Sequence, residues 1–291
     1  MDYKFIHDTI SGKWVISAPK RAKRPNTQDH KSSFCPFCPG RETQEKELYR
    51  VGGKDQDQNW LIRVLPNKYP FAPIHEIIVH SQDHRKNFDE LPLSQVELII
   101  DTFKNRFLTY QSEGNVYIFH NHGEAGGESL IHPHSQLVVI PDNMTSEIPP
   151  LHRVEEGKSY QETNEFLLHC PSTSQWPDEV WIIPKKEEEV FSGITAQSSQ
   201  DLAFVVARLI QIFDLRHGHN FPFNFYIYPG RNWYLRLIPR VKILGGFELG
   251  TNIFVNTQDP DESISFIKEH FEKPDFERIK KEHQAEYRRS V

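Results

Sequence analysis

Cysteine is scarce in this chain, and long hydrophobic runs and an excess of positive charge are missing. The three cysteines, Cys35, Cys38 and Cys170, form no disulfide framework and indicate a reduced, cytoplasmic setting. No apolar stretch has the length of a membrane span or the form of a signal peptide, so we expect no membrane partner. The net charge of −6 argues against nucleic acid as a partner, so phosphate contacts must come from local clusters of residues.

The rest of the composition is that of a globular protein, with 37% hydrophobic and 25% charged residues. A length of 291 residues allows two domains of ordinary size or one large domain. Two parts of the chain, residues 76–140 and 180–238, repeat the order strand, helix, strand, strand. This repeat indicates a duplicated module with a boundary near Pro149-Pro150. We also predict a charged, solvated helix over residues 276–289.

Each repeat contains one helix with a single apolar face, which is typical of a helix packed on a sheet. The first helix opens at Ser94-Gln95-Val96-Glu97, a sequence with the form of a capping box. Its apolar residues are Val96, Ile99, Ile100, Phe103 and Phe107. The second helix follows Ser198, and its apolar residues are Leu202, Val205, Val206, Leu209, Ile210 and Phe213.

The segment Ile131-His132-Pro133-His134-Ser135-Gln136 is the most informative part of the sequence. The apolar run at 137–140 that follows it predicts a strand. Because side chains alternate along a strand, His132, His134 and Gln136 share one face, which can bind a phosphate or a metal ion. The glycine-rich loop at 123–129 precedes this strand and could bring backbone N–H groups against phosphate oxygens.

A Cys-x-x-Cys motif at Cys35 and Cys38 gives this segment a more specific meaning. Together with the His-x-His of His132 and His134, it has the ligand types of a zinc site. The alternative is a pair of buried apolar cysteines and an unrelated pair of surface histidines. Each motif alone favours that alternative, whereas the two together favour zinc.

Several stretches of the sequence are similar to the galactose-1-phosphate uridylyltransferase branch of the histidine-triad superfamily, which also contains ADP-sugar phosphorylases. These stretches are Trp14–Pro25, Cys35–Gly40, Asn67–Pro70, Ser81–His84, Phe119–Gln136 and Gly246–Glu248. The resemblance implies an α+β fold of two histidine-triad-like modules, each an antiparallel sheet with a packed helix. Residues 1–148 would form the catalytic domain with its zinc knuckle, and residues 149–291 would form a degenerate second domain.

The resemblance also implies roles for individual residues. One structural zinc ion would be held by Cys35, Cys38, His84 and His132. The nucleophile would be His134, with its second ring nitrogen held by a backbone carbonyl near His132. The transferred phosphoryl group would be bound by Gln136, and the sugar phosphate by Ser129. The rest of the substrate would be bound by six further residues, Arg21, Arg24, Asn67, Asn121, Gly127 and Glu248.

Some of these residues have simpler interpretations. Arg21 and Arg24 could be a solvated basic turn, and His84 an exposed loop histidine. Glu248 could simply pack beside the second-half sheet. We expect His75, His120 and His122 to be surface or structural histidines. The second half has Tyr234 and Arg236 where a second His-x-His would stand, so we expect no metal there.

The activity implied by the resemblance is transfer of a nucleoside monophosphate from a nucleotide sugar such as UDP-glucose to a hexose 1-phosphate, as in galactose metabolism. Ser135 and the stretch Glu248-Leu249-Gly250-Thr251 are closer to phosphorylase-like relatives, which use inorganic phosphate. The sequence is also compatible with a nucleotide hydrolase and with a non-catalytic nucleotide-binding zinc protein. We expect the second half to complete the pocket or to form the surface of a homodimer.

Overall fold

The fold is described from a computed structural model for residues 3–24, 35–54, 56–144, 146–151, 158–187 and 189–273. The strands are β1 Lys4–His7, β2 Trp14–Ser17, β3 Tyr49–Val51, β4 Ile62–Pro66, β5 Ile74–Val79, β6 Asn115–His122, β7 His134–Ile140, β8 Gln161–Glu162, β9 Phe166–His169, β10 Val180–Pro184, β11 Phe223–Ile227 and β12 Leu235–Pro239. The helices are α1 Leu93–Tyr110, α2 Ala196–His217, α3 Gly246–Thr251 and α4 Pro260–Phe271. The predicted helix at 276–289 and most of the connection after Pro150 lie outside these residues.

Ten of the described strands form one antiparallel sheet in the order β3-β4-β5-β7-β6-β11-β12-β10-β9-β8. The α+β class predicted from the sequence is confirmed, but the two halves do not form separate sheets. Strand β6 of the first half pairs with β11 of the second, with His122 opposite Phe223 and Ile118 opposite Ile227. Each of these strands would otherwise be an exposed edge with unpaired backbone groups, and their pairing removes both edges.

The two halves of the sheet repeat the same strand order outward from the β6–β11 pair. The first half runs β6, β7, β5, β4, and the second runs β11, β12, β10, β9. One long helix follows β5 in the first half and β10 in the second, which is the position of the helix in the sequence repeat. The boundary between residues 148 and 149 stays a prediction.

Helices α1 and α2 pack against one another and cover one face of the sheet. All the apolar residues predicted for their inner faces are buried, because the 3.6-residue period places them on one stripe. The predicted capping box at Ser94 is wrong. Helix α1 begins at Leu93, its N-cap is Pro92 and no side chain caps it. The Pro92 carbonyl already accepts the first helical hydrogen bonds, so Ser94 lies inside the first turn.

The second helix is capped by a side chain. The hydroxyl of Thr195 accepts a hydrogen bond from the Ser198 backbone N–H at 3.1 Å. None of the described helices combines the length and the apolar character that crossing a membrane requires. The sheet face opposite α1 and α2 carries two smaller apolar clusters, around Trp60 and around Trp181.

Candidate active site and metal centre

The strand β7 places its side chains alternately on the two faces of the sheet. His134 and Gln136 lie on the open face, where they pair across the ladder with Val79 and Ile77 of β5. Ser135 points toward the helices, and its Oγ lies 2.8 Å from Nε2 of the buried His80. The predicted common face of His134 and Gln136 is therefore present. His132 lies two residues before this strand and is completely buried.

Four residues predicted as metal ligands lie together beside the start of β7. The Cys38 Sγ atom is 3.3 Å from His84 Nδ1 and 3.6 Å from His132 Nδ1, and Cys35 Sγ is 3.6 Å from His132 Nδ1. The four ligand atoms lie within 4.8 Å of one another and could hold a metal ion. Tetrahedral Zn–S and Zn–N bonds of about 2.3 and 2.0 Å would put sulfur and nitrogen about 3.5 Å apart, so the observed spacing fits zinc.

The hydrogen bonds around this group also favour a bound cation. His132 donates from Nε2 to the Ser81 carbonyl at 2.9 Å, which leaves its Nδ1 lone pair directed at the thiols. Burial lowers the pKa of His132 to about 4, so the ring is the neutral form that metals bind. Burial and the neighbouring Cys35 raise the pKa of Cys38 to about 12 in the protein alone. A dication would compensate the thiolate charge that burial disfavours.

The ring of His134 is held in one tautomer by the backbone. Its Nδ1–H donates to the His132 carbonyl at 3.0 Å, which leaves the Nε2 lone pair available. Burial lowers the pKa of His134, the nearby charge of Arg24 acts in the same direction, and the bond to His132 opposes them. A second buried histidine, His120, donates from Nδ1 to the His134 carbonyl at 3.0 Å. The Nε2 atom of His134 is therefore positioned by contacts on the backbone as well as on the ring.

A cavity of about 270 Å³ lies in front of His134. It brings together five of the residues predicted to act in catalysis or substrate binding. Its lining consists of Arg24, Pro36, Phe37, Glu45, Pro66, Asn67, Lys68, Tyr69, Ile77, Ser129, Leu130, His134 and Gln136. Arg21, Asn121, Gly127 and Glu248 do not line this cavity. Its size and mixed polar and apolar walls are those of a small-molecule site.

The carboxamide of Gln136 is oriented by His75, a residue to which the sequence gave no functional role. His75 is buried, and its Nε2 lies 2.9 Å from Gln136 Oε1. Its Nδ1 accepts from the Phe71 backbone N–H at 3.3 Å, so Nε2 carries the proton and donates to Gln136. The N–H2 group of Gln136 remains as a donor for a ligand. Only the pairing of β5 with β7 brings these side chains together, and no local signal in the sequence could have shown it.

Arg21 supports the wall of the cavity rather than lining it. Its Nη1 donates to the Tyr69 carbonyl at 2.6 Å, and its guanidinium lies 4.8 Å from the centre of the Phe71 ring. It follows β2 in a short 3-10 helix, Pro19–Lys23, and Arg24 comes directly after that helix. The alternative of a solvated basic turn therefore does not describe Arg21, whose guanidinium is held against the site by these two contacts.

The glycine-rich loop is folded on itself, and this differs from the expected phosphate cradle. The N–H groups of Gly126, Gly127 and Glu128 donate to carbonyls of Gly123 or Glu124, and the Gly123 N–H donates to the Glu128 carboxylate. These four donors are not available for a phosphate. Gly126 is required for a close approach, because a Cβ atom there would lie 2.1 Å from the His122 carbonyl oxygen. Gly127 is in the left-handed region, with φ +80°.

Glu248 caps helix α3 in the second half of the chain. One carboxylate oxygen accepts from Lys242 Nζ at 2.7 Å and the other accepts from the Gly245 N–H at 3.0 Å. A contact of Glu248 with the substrate stays a prediction. At the position of a second His-x-His, the Tyr234 ring stacks on Trp181 and Arg236 pairs with Glu179 at 2.7 Å.

A second group of possible metal ligands lies elsewhere among the described residues. Asp89, Asp214 and His219 meet at the C-terminal end of α2, within 4.8 Å of one another. His219 Nδ1 is 3.1 Å from the Asp214 carboxylate. The expectation that the second half binds no metal of its own therefore stays a prediction.

Comparisons with known proteins support the fold and the family resemblance. The family description "Galactose-1-phosphate uridyl transferase, N-terminal domain" matches residues 73–139, which include His134 and Gln136. An ADP-glucose phosphorylase from Arabidopsis thaliana is 26% identical over 90% of this chain and 91% of its own length. A galactose-1-phosphate uridylyltransferase from Thermotoga maritima is 24% identical over 90% of this chain and 97% of its own length.

Solved structures show the same fold at low identity. The crystal structure of the Arabidopsis thaliana ADP-glucose phosphorylase with bound ADP-glucose superposes with a TM-score of 0.69 at 24% identity, covering 92% of this chain and 99% of that one. A uridylyltransferase structure superposes with a TM-score of 0.73 at 20% identity. The match covers 93% of this chain and 99% of the uridylyltransferase chain. The fold is that of the galactose-1-phosphate uridylyltransferases and of the ADP-glucose phosphorylase. The chain is that of an enzyme similar to the galactose-1-phosphate uridylyltransferase family, which includes nucleotidyltransferases and ADP-sugar phosphorylases.

Proposed function

We propose that this enzyme moves a nucleoside monophosphate from a nucleotide sugar to a second phosphate-bearing acceptor through a covalent nucleotidyl-histidine at His134. The observation that carries this proposal is the hydrogen bond from His134 Nδ1 to the His132 carbonyl, which directs Nε2 into the cavity. A neutral imidazole with one nitrogen locked as a donor is a competent nucleophile near neutral pH.

In the first step, the Nε2 lone pair of His134 attacks the α-phosphorus of the nucleotide sugar. The bond from that phosphorus to the bridging oxygen breaks, and the sugar 1-phosphate leaves with the electron pair. In the second step, an oxygen of the acceptor phosphate attacks the same phosphorus and the P–N bond breaks, which restores His134. With inorganic phosphate the product is a nucleoside diphosphate, and with a sugar 1-phosphate it is a new nucleotide sugar.

Two side chains would stabilise charge on the phosphoryl oxygens. Gln136 offers its N–H2 group beside His134, because its oxygen is held by His75. Arg24 lines the same cavity and carries a full positive charge. Preorganised donors of this kind act most strongly where water is excluded. Asn67 and Ser129 line the cavity as well and are assigned to the nucleoside and to the sugar phosphate.

We assign the metal group to one structural zinc ion held by Cys35, Cys38, His84 and His132. Four protein ligands leave no open coordination position, so the ion would supply rigidity rather than Lewis-acid chemistry. It would tie the segment at Cys35–Cys38 and the loop at His84 to the start of β7, two residues before His134.

Inorganic phosphate is the acceptor we favour, with an ADP-sugar as donor. The sequence alone put a hexose 1-phosphate and a UDP-sugar first. The order is reversed because the ADP-glucose phosphorylase matches at higher identity than the uridylyltransferases, and because Ser135 and Glu248–Thr251 are of the phosphorylase-like type. Transfer to galactose 1-phosphate is the second candidate, favoured by the family match. We also propose that residues 1–148 and 149–291 are two histidine-triad-like modules, the second without catalytic residues.

The covalent step can be tested by mass spectrometry of the intact protein. Incubation with ADP-glucose or UDP-glucose, without acceptor, should add one nucleoside monophosphate to the wild-type chain. His134→Ala should remove the adduct, whereas His219→Ala, at an exposed histidine after α2, should retain it. An adduct on the His134→Ala variant contradicts the mechanism.

The acceptor can be tested with the isolated adduct. Inorganic phosphate should discharge it to the nucleoside diphosphate faster than galactose 1-phosphate discharges it to a nucleotide sugar. The reverse preference would favour the uridylyltransferase reaction, and rapid discharge by water alone would favour a hydrolase.

A further inference from the structure

Two asparagines face one another on the strands that join the two halves of the sheet. Asn121 on β6 and Asn224 on β11 are direct partners in the antiparallel ladder. Asn224 Nδ2 donates to Asn121 Oδ1 at 2.8 Å and to the Gly126 carbonyl of the glycine-rich loop at 2.7 Å. The second half of the chain therefore contacts both a predicted nucleotide-binding residue and the loop beside it.

Arg240 sets the orientation of the Asn224 carboxamide. Its Nη1 donates to Asn224 Oδ1 at 2.8 Å, and its guanidinium lies 4.5 Å from the centre of the Trp176 ring. A guanidinium has donors and no acceptor, so it selects the orientation in which the oxygen of Asn224 faces Arg240. The N–H2 group of Asn224 must then face Asn121 and Gly126.

The orientation of Asn224 fixes that of Asn121. Because Asn121 Oδ1 already accepts from Asn224, the N–H2 group of Asn121 is the part left to bind a ligand. In the ladder between β6 and β7, His120 pairs with Ser135, so Asn121 lies beside His134. Neighbouring Cα atoms in such a ladder are about 5 Å apart, and both side chains are on the open face of the sheet. Gln136 is held in the same way, since its oxygen accepts from His75.

We propose that Asn224 and Arg240 are positioning residues that hold the Asn121 carboxamide with its N–H2 group toward the phosphoryl oxygens of a nucleotide at His134. This inference rests on the proposed function, because it requires a nucleotide phosphate beside His134. The second half would then contribute to catalysis through an amide relay from Arg240 to Asn224 to Asn121, although it has no histidine pair of its own.

Asn224→Asp tests the relay with almost no change in shape. An aspartate at this position still accepts from Arg240, but it cannot donate to Asn121. Asn121 must then turn its N–H2 group toward the new carboxylate and present its oxygen to the phosphate. We expect ADP and UDP, used as probes in calorimetric titration, to bind about tenfold more weakly, the effect of about one hydrogen bond to a charged group. The thermal midpoint should also fall, because the carboxylate cannot donate to the Gly126 carbonyl.

A double-mutant cycle separates the relay from a general structural effect. In an Asn121→Ala background, Asn224→Asp should weaken ADP binding no more than about twofold, because the side chain it acts through is absent. Arg240→Met should weaken binding as Asn224→Asp does, and Arg240→Lys should recover part of the loss. Equal effects of Asn224→Asp in both backgrounds would overturn the proposal.

The same variants distinguish the relay from the proposed function. If the wild-type chain forms the nucleotidyl adduct but the double-mutant cycle for ADP binding is additive, the relay is overturned and the proposed function stands. A non-additive cycle for ADP binding without any adduct supports the relay as a nucleotide-binding device and overturns the covalent mechanism. If neither ADP nor UDP binds to the wild-type chain, both are overturned.

Discussion

His75 on β5 donates a 2.9 Å hydrogen bond from Nε2 to the Oε1 atom of Gln136 on β7. The Phe71 N–H occupies the other ring nitrogen, and burial lowers the pKa of His75 to about 4, so the ring stays neutral near pH 7. The bond therefore has a fixed donor and a fixed acceptor. It leaves the amide N–H2 group of Gln136 for the cavity in front of His134.

His75→Ala should lower kcat more than it raises KM. Gln136 Oε1 would lose the shorter of two hydrogen bonds that orient the amide, and the one from Asn67 at 3.4 Å would remain. A donor that acts on developing charge is worth most in the transition state. We expect a fall of roughly 10- to 100-fold in kcat, measured by steady-state kinetics with the donor found to form the adduct. His75→Gln retains a donor near the Nε2 position and should recover part of the activity. A change confined to KM in His75→Ala would contradict this role.

Replacing the cysteine pair should remove the metal. Zinc is expected at one ion per chain in protein purified without added metal, and Cys35→Ser with Cys38→Ser should abolish it, because serine is a poor zinc ligand at neutral pH. Cys170→Ala is the matched control, since Cys170 is buried away from the cluster. Elemental analysis measures both variants. An unchanged zinc content in the double variant would rule out this site.

Two neighbouring glycines should respond differently to alanine. At Gly126 a Cβ atom would lie 2.1 Å from the His122 carbonyl oxygen, so the loop must move and activity should be lost. At Gly127 a Cβ atom meets nothing within 4 Å, but φ is +80°. Gly127→Ala should therefore lower the free energy of unfolding by only about 1–2 kcal/mol. Urea unfolding and turnover of both variants check this. Equal effects would show that the loop is not held at Gly126.

Asp178 should make the stability of the second half depend on pH. Burial by itself would raise the pKa of Asp178, but hydrogen bonds from His217 and Ser263 and the charge of Arg216 hold it below its ordinary value. A lowered carboxyl pKa stabilises the fold above the unfolded-state pKa of about 3.9, and this contribution is lost as pH falls through the folded-state pKa.

Asp178→Asn should therefore lower the free energy of unfolding by about 3 kcal/mol at pH 7, because it leaves Arg216 without its buried partner. The difference from the wild type should shrink as the pH is lowered from about 5 toward about 2. Denaturant unfolding at several pH values measures it. Asp142→Asn, at an exposed carboxylate, is the control and should show little change at any pH. A difference that does not vary with pH would mean that Asp178 acts through packing alone.

Patterns between near neighbours along the chain predicted a large part of the fold. The apolar run at residues 137–140 predicted β7, and the alternation of strand side chains predicted that His134 and Gln136 share one face. The helical period predicted the buried faces of α1 and α2 for a similar reason. The motif at Cys35 and Cys38, with two histidines from the family resemblance, predicted a group of side chains that does meet in space.

The same kind of reasoning failed where several neighbouring groups compete for one hydrogen-bond partner. Ser94 has the sequence of a cap, but the carbonyl of Pro92 starts the helix earlier. The glycine-rich loop has the composition of a phosphate-binding loop, but its own carbonyls and Glu128 take up four of its N–H donors. Composition shows which groups can donate or accept a hydrogen bond, but it does not show which partner each group binds in the folded chain.

The sequence by itself determined the strand that carries His134, the buried helix faces and the residue types of the metal group. Tertiary structure alone decided that the two halves share one sheet and that His75 and Asn224 orient the amides of Gln136 and Asn121. These partners are 61 and 103 residues apart in the chain. Their contact depends on the register of paired strands, and a shift of one residue would turn each side chain to the opposite face of the sheet.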